Sequence, residues 1–240
     1  MVDTIYALAT PLGRAGVAVV RVSGPDAFMS LHSLCNDIRI KPRKTILCDL
    51  YTQEGLHLDK ALVLPFKGPH SFTGEDVVEL HLHGSIAVIQ KTLETLSKIA
   101  NFRQALPGEF TRRAFSNEKL DLAEIEGLAD LIEAETETQR VQALKVLSGK
   151  LGERAQKWRS MIIKAMALIE VTIDFADEEV PTDVSKDVID ILTNIINDLT
   201  LESTGINVAE RIRAGFEVAI VGKPNIGKST LLNALAGREA

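Results

Sequence analysis

The spacing of apolar residues changes character partway along the chain. Before about residue 118, short β-rich runs alternate with turns, and six of the eight prolines lie before Gly108. Residues 5–9, 17–22, 46–51, 60–66 and 77–83 read as strands, the last alternating apolar and polar positions as a half-buried strand does. Two helices are interleaved with them. One is expected to start at Ser23-Gly-Pro-Asp26, with Pro25 in the first turn and Phe28, Leu31 and Leu34 at helical spacing. The other is opened by Gly84-Ser85 and runs to about residue 99, with Ile86, Ile89, Leu93 and Leu96 on one face. Strands mixed with helices make this an α/β or α+β domain.

Beyond it the period becomes helical almost throughout. Leu122, Ile125, Leu128 and Ile132, then Val141, Leu144 and Leu147, recur at three or four residues. After Gly149 and Gly152 come Trp158, Met161, Ile162, Ala165 and Ile169. An acidic break (Asp174, Asp177, Glu178, Glu179) reads as a solvated loop, and a further helix is expected over 184–201. Long helices with broad apolar stripes bury themselves against one another, so a helical bundle follows. A stripe left exposed is expected where further helices would pack. The expected domains are 1–118, 119–215 and 216–240.

The last of these is short but specific. Residues 218–221 read as a buried strand, Gly222-Lys-Pro-Asn-Ile-Gly227 as a loop, and Lys228-Ser229 as the start of an apolar helix. This is G-x-x-x-x-G-K-[ST] in the strand–loop–helix setting that a phosphate-binding loop requires. Small residues let backbone N–H groups converge on phosphate oxygens at a helix N-terminus. Lys228 would reach the phosphates, and the Ser229 hydroxyl would ligate magnesium. The sequence ends thirteen residues after Gly227, so the chain is expected to be the front portion of a larger protein.

Bulk properties narrow the class without deciding it. A net charge of −6 gives no chain-wide grip on nucleic acid. Cys35 and Cys48 lack CxxC spacing, which fits a reducing compartment and gives no metal or disulfide framework. No apolar run approaches a membrane span and the N-terminus has no targeting pattern, so a cytoplasmic location is expected. His81 and His83 share a strand face, yet a metal site would need a third ligand that is not visible. The charged and aromatic segment Pro107 to Asp121 fits a solvated junction or a ligand surface equally well. No nucleophile–base arrangement stands out, and no catalytic residue is assigned.

Several blocks together resemble the MnmE (TrmE) family of bacterial tRNA modification GTPases. They are DTIYALATPLGRAGVAVVRVSGPDA, SFTGEDVVELHLHG, PGEFTRRAFSNEKLDLAEIEGLADLIEA, IDFADEEV and VAIVGKPNIGKSTLLNALAGREA, in the family's order and spacing. The resemblance implies an N-terminal domain that binds 5-formyltetrahydrofolate and forms a homodimer. It implies a helical domain, with a Ras-like G domain inserted in it. It further implies a FAD-dependent MnmG-type partner in a heterotetramer and tRNA as substrate. Together these would add a (carboxymethyl)aminomethyl group to carbon 5 of the wobble uridine, at the expense of GTP. The family's folate-contacting positions fall on Arg21, Glu79 and Lys119. The family's nucleotide-binding positions fall on Asn225, Ile226, Gly227, Lys228, Ser229 and Thr230, with Ser229 on Mg2+ and Asn225 on K+.

The departures are local. Where the family has glycines this sequence has Ala15, Leu82 and Ser85, and the last two are expected to narrow the approach to the folate. The family's Asp-x-x-Gly, its Asn-Lys-x-Asp and its C-terminal Cys motif do not occur after the phosphate loop here, so no GTP hydrolysis is expected of this chain alone. An alternative is a stand-alone folate-binding dimerisation module without nucleotide turnover. A different P-loop ATPase is disfavoured by the Leu231-Leu-Asn-Ala-Leu235 continuation, which looks like translation-type GTPases.

Overall fold

The computed structural model describes residues 3–36, 39–174, 184–204, 210, 219–224 and 226–236. It divides into two compact units, Met1–Ile125 and Glu126–Ala240. The architecture is an α/β domain followed by a helical one.

The first unit is built on a six-stranded sheet: β1 (Thr4–Leu8), β2 (Ala15–Ser23), β3 (Ile46–Tyr51), β4 (His57–Phe66), β5 (Val77–Gly84) and β6 (Phe102–Gln104). The strand order is β3-β4-β5-β2-β1-β6. All neighbours are antiparallel except β1 and β6. One face forms the core, because strand side chains alternate between faces. Val20 and Val22 of β2, Leu80 and Leu82 of β5, and Ala61 and Val63 of β4 are all buried there. Leu31 and Leu34 of α1 (Met29–Leu34) and Leu96 of α2 (Ile86–Ser97) cover that face.

The other face is different. Register puts Val19, His81, Leu62 and Leu47 in one cross-strand row, and Arg21, Glu79 and Leu64 in the next. Leu47 is 60% exposed and Leu62 46%.

Three features differ from the sequence expectation. Helix α1 begins at Met29, not near Ser23. Ser23 is the last residue of β2, its hydroxyl bonded to Glu75 Oε2 and Thr73 Oγ1 (both 2.7 Å), so it is not available as a cap. Strand β6 and helix α3 (Glu109–Ser116) were not anticipated. The helical stretch after residue 120 is also divided, into α4 (Leu122–Glu133), α5 (Glu137–Leu147) and α6 (Lys150–Asp174). The break before α5 is enforced by a capping box: Thr136 Oγ1 accepts from Gln139 N at 3.2 Å, and Gln139 Oε1 accepts from Thr136 N at 2.9 Å.

In the second unit α6 packs on α7 (Ser185–Thr204), with Ala165, Val188 and Ile195 buried. Trp158 Nε1 donates to Asp198 Oδ2 at 3.4 Å, and Arg154 pairs with Glu202. The anticipated exposed stripe is present: Ile162, Met166, Ile169 and Ile173 follow one face of α6, and Ile189, Leu192, Ile196 and Leu199 one face of α7. Most of the acidic break, 175–183, lies outside the described residues. Residues 219–221 of the expected final strand pair with no sheet among the described residues, since a ladder needs a neighbour. Helix α8 (Lys228–Ala236) follows the glycine loop as expected. Among the described residues no helix is long and apolar enough to cross a membrane.

Candidate functional site

Arg21 and Glu79 are direct partners across β2 and β5, a pairing set by the register that also aligns Val20 with Leu80 in the core. Arg21 Nε donates to Glu79 Oε1 at 3.0 Å, and Nη2 lies 2.8 Å from the same oxygen. Both side chains are largely buried on the face away from the core. The guanidinium lies 5.0 Å from the Phe72 ring centroid and 5.7 Å from that of Phe110, within cation–π range. Because both arginine nitrogens share Oε1, Glu79 Oε2 keeps acceptor capacity for a ligand.

Beside this pair is an open cleft of about 390 Å³, lined by Arg43, Phe66, His70, Ser71, Phe72, Val77 and Glu79. Its size falls within the range of small-molecule sites. Arg43 is held at its rim: its N–H donates to Pro65 O at 2.7 Å and Nη2 to His70 O at 3.2 Å. His81 Nε2 lies 3.5 Å from Glu79 Oε2 but makes no hydrogen bond, which leaves it a buried, unpartnered nitrogen among the described residues. Buried polar atoms are normally satisfied. A carboxylate oxygen and an imidazole nitrogen side by side, with aromatic rings nearby, suit a planar heterocycle rich in N–H groups, so the residues present fit a pterin.

The loop and helix that carry Phe72 and Phe110 are fixed by ion pairs. Glu109, whose side chain is 2% exposed, accepts from Arg103 Nη1 at 2.8 Å and Nη2 at 2.6 Å, and from Leu106 N at 2.8 Å. The Arg103 bonds hold its carboxyl down at about 2, against burial, which pushes it up. Arg113 Nη1 reaches both Glu75 oxygens at 3.1 Å, and Nη2 reaches Glu109 at 3.3 Å. The start of α3 is therefore held beside the Arg21–Glu79 pair, with Phe110 against the guanidinium. Lys119 lies at its end, its stem against the loop: a Cβ on Gly74 would be 3.1 Å from Lys119 Cε. The structure brings Arg21 and Glu79 together, while Lys119 is exposed and pairs with neither.

Leu82 does not narrow this site. It is 1% exposed and belongs to the core face, opposite to Glu79. Ser85 is the exposed cap residue of α2. His83 takes a partner of its own, its Nδ1 2.7 Å from Asp59 Oδ1, while its backbone N–H donates to Oδ2 at 2.8 Å. Burial pushes the Asp59 carboxyl up, but the His83 and Lys60 contacts outweigh it and hold it below its ordinary value. Among the described residues no group of three or more His, Cys, Asp or Glu could hold a metal ion. Phe72, Phe110 and Arg43, which surround the pair, were not singled out from sequence, and His81 was weighed only as half of a metal pair. Only strand alternation, which puts His81 on the Glu79 face, offered a signal.

In the second unit, Gly227 has φ +97°, a conformation open to glycine, and α8 starts directly after it. Lys228 Nζ donates to Gly222 O and Lys223 O, both at 2.9 Å, so the ammonium is folded over its own loop with one donor to spare. Ser229, Thr230, Ile226 and Gly227 are exposed at the helix start, as an anion cradle requires. The residues present fit a nucleotide phosphate. Asn225, the expected potassium ligand, lies outside the described residues.

Comparison with known proteins agrees with this arrangement. Residues 4–119 match the model for the "GTP-binding protein TrmE N-terminus" and residues 122–234 that for the "MnmE helical domain". Curated proteins called tRNA modification GTPase MnmE are similar over nearly the whole chain. That of Roseobacter denitrificans is 57% identical over 238 residues, that of a Ruegeria species 56%, and that of Dinoroseobacter shibae 55%; each alignment covers 99% of this chain and 55% of the relative. The chain thus spans about half the length of the curated relatives it matches. Two family models in succession, over the sheet domain and then the helices and glycine loop, establish that the chain belongs to the MnmE (TrmE) family.

Proposed function

We propose that this chain carries the folate-binding and phosphate-binding parts of a tRNA modification GTPase. The observation that carries the reading is the Arg21–Glu79 pair beside the cleft, with one Glu79 oxygen left free of the arginine. A 5-formyltetrahydrofolate-type carrier would place its pterin edge against Glu79, beside the Arg21 guanidinium, and its carboxylates toward the cation Lys119. When bound, the folate supplies a one-carbon unit; the residues here orient it. Lys228 would hold the phosphates of GTP, with Ser229 on Mg2+ and Asn225 on K+.

The reaction served is addition of a (carboxymethyl)aminomethyl group to carbon 5 of wobble uridine in tRNA, with a FAD-dependent MnmG-type partner, in the cytoplasm. Homodimerisation through the sheet domain is supported by the exposed Leu47 and Leu62 on the sheet's second face, apolar surface that a second copy would cover. The test is equilibrium binding of 5-formyltetrahydrofolate to the chain by calorimetry. Saturable binding, one ligand per chain, supports the reading, and its absence in folded protein overturns it.

A further inference from the structure

The two cysteines, 13 residues apart in sequence, meet in space. Cys35 Sγ and Cys48 Sγ are 3.2 Å apart, one thiol donating to the other's sulfur. Cys35 directly follows α1, where its N–H bonds Leu31 O at 2.8 Å, and it forms an isolated antiparallel bridge with Leu50 of β3. Cys48 lies on β3 itself, the edge strand, opposite Ala61 of β4. Both thiols are free. Buried cysteines usually pack singly as small hydrophobes. Here one is buried and its partner is half-buried, so the pair can be reached from one side.

We infer that Cys35 and Cys48 are a dithiol oxidation site, converted by hydroperoxides to an intramolecular disulfide that fastens the end of α1 to edge strand β3. Closing the contact to the ~2.05 Å of a disulfide asks a little over 1 Å of the two side chains together. The thiols divide the work. Cys48 is the more exposed, and the hydrogen bond from Cys35 lowers its proton affinity, while the same bond and burial raise that of Cys35. The Cys48 thiolate attacks one peroxide oxygen; the O–O bond breaks, the other oxygen leaves and takes a proton, and Cys48 becomes a sulfenic acid. The Cys35 sulfur then attacks the Cys48 sulfur. The S–S bond forms, the S–O bond breaks, and hydroxide leaves as water with the Cys35 proton. Two thiols lose two electrons and one hydroperoxide gains them.

The closed loop, residues 36–47, contains Arg43, a lining residue of the cleft that bonds Pro65 O and His70 O in the reduced state. Oxidation therefore tightens a segment that borders the candidate ligand site.

The full chain is treated with hydrogen peroxide, quenched in denaturant with iodoacetamide, and weighed. Both thiols are expected to disappear together, with a mass loss of about 2 Da that dithiothreitol reverses, and a peptide map joining positions 35 and 48. The thermal midpoint is expected to rise by roughly 5 °C on oxidation. In Cys35→Ser the sulfenic acid on Cys48 should persist and react with dimedone. Thiols that remain alkylatable after treatment, that oxidise independently to sulfinic acids, or that cross-link separate chains would each overturn the proposal.

Discussion

Arg21 spends two of its nitrogens on a single oxygen of Glu79, at 3.0 and 2.8 Å, and leaves the other carboxylate oxygen without a strong donor. A pair built only for stability would use both oxygens in a bidentate fork. Glu79→Gln and Arg21→Ala are each expected to weaken 5-formyltetrahydrofolate binding by ~10–100-fold, the loss of one or two charge-assisted hydrogen bonds. Arg21→Lys should fall between, since it keeps the charge but loses the planar face over Phe72. Calorimetry on each variant, with circular dichroism confirming the fold, checks all three.

Glu109 governs how the sheet domain responds to acid. Its carboxyl is depressed from 4.5 to about 2, chiefly by Arg103, so folding holds it ionised more firmly than the unfolded chain does. The stability this contributes is fully present above the unfolded value and is lost as pH falls through the folded one. The stability gap between the native chain and Glu109→Gln should therefore be constant near neutrality and close between pH 4.5 and about 2. At neutral pH the variant weakens the contacts to Arg103 and Arg113, but Arg103 is 40% exposed and keeps Asp3 while Arg113 keeps Glu75, so the cost is about 1–2 kcal/mol. Thermal melts across that pH range measure both.

Local pattern made much of this fold legible. Strand β3 falls where its β-rich run put it and the start of β5 where alternation did, and α2 follows its cap at Ser85. What stayed hidden depends on contacts distant in sequence. Nothing local says that residue 21 faces residue 79, or that Cys35 touches Cys48. Helix α3 escaped because its buried side is made of Glu109 and Ala114, so ion pairs replace the apolar stripe that marks a helix. The split before α5 was readable in Thr136-x-x-Gln139, a capping pattern masked by apolar spacing on either side. Arg21 and Glu79 were found through the resemblance of whole blocks, while their aromatic neighbours depend on how the loop at 68–74 folds back.

Gly127, in the middle of α4, sets two effects against each other. Alanine is a better helix former by about 1 kcal/mol, so propensity favours Gly127→Ala. A Cβ there would stand 2.6 Å from the backbone nitrogen of Leu147 and 3.1 Å from the carbonyl oxygen of Ala143, both in α5. Backbone cannot yield as a side-chain tip can, and overpacking of this kind costs about 1–3 kcal/mol. The clash wins, and the substitution should lower stability by up to about 2 kcal/mol in urea unfolding. A rise in stability would show that α4 and α5 do not approach as closely as the geometry requires.

The phosphate loop separates binding from stability. Lys228 bonds two carbonyls of its own exposed loop, contacts that water replaces at little cost. Lys228→Ala should leave the melting temperature within a degree or so, because exposed contacts contribute little to folding. The same change removes the cation that the phosphates would meet, so affinity for a fluorescent GTP analogue should drop ~10–100-fold. Ser229→Ala should weaken binding only when Mg2+ is present, because its hydroxyl would act through the ion. A Ser229→Ala defect that is equal in EDTA would remove the serine from the metal and make it a direct phosphate contact.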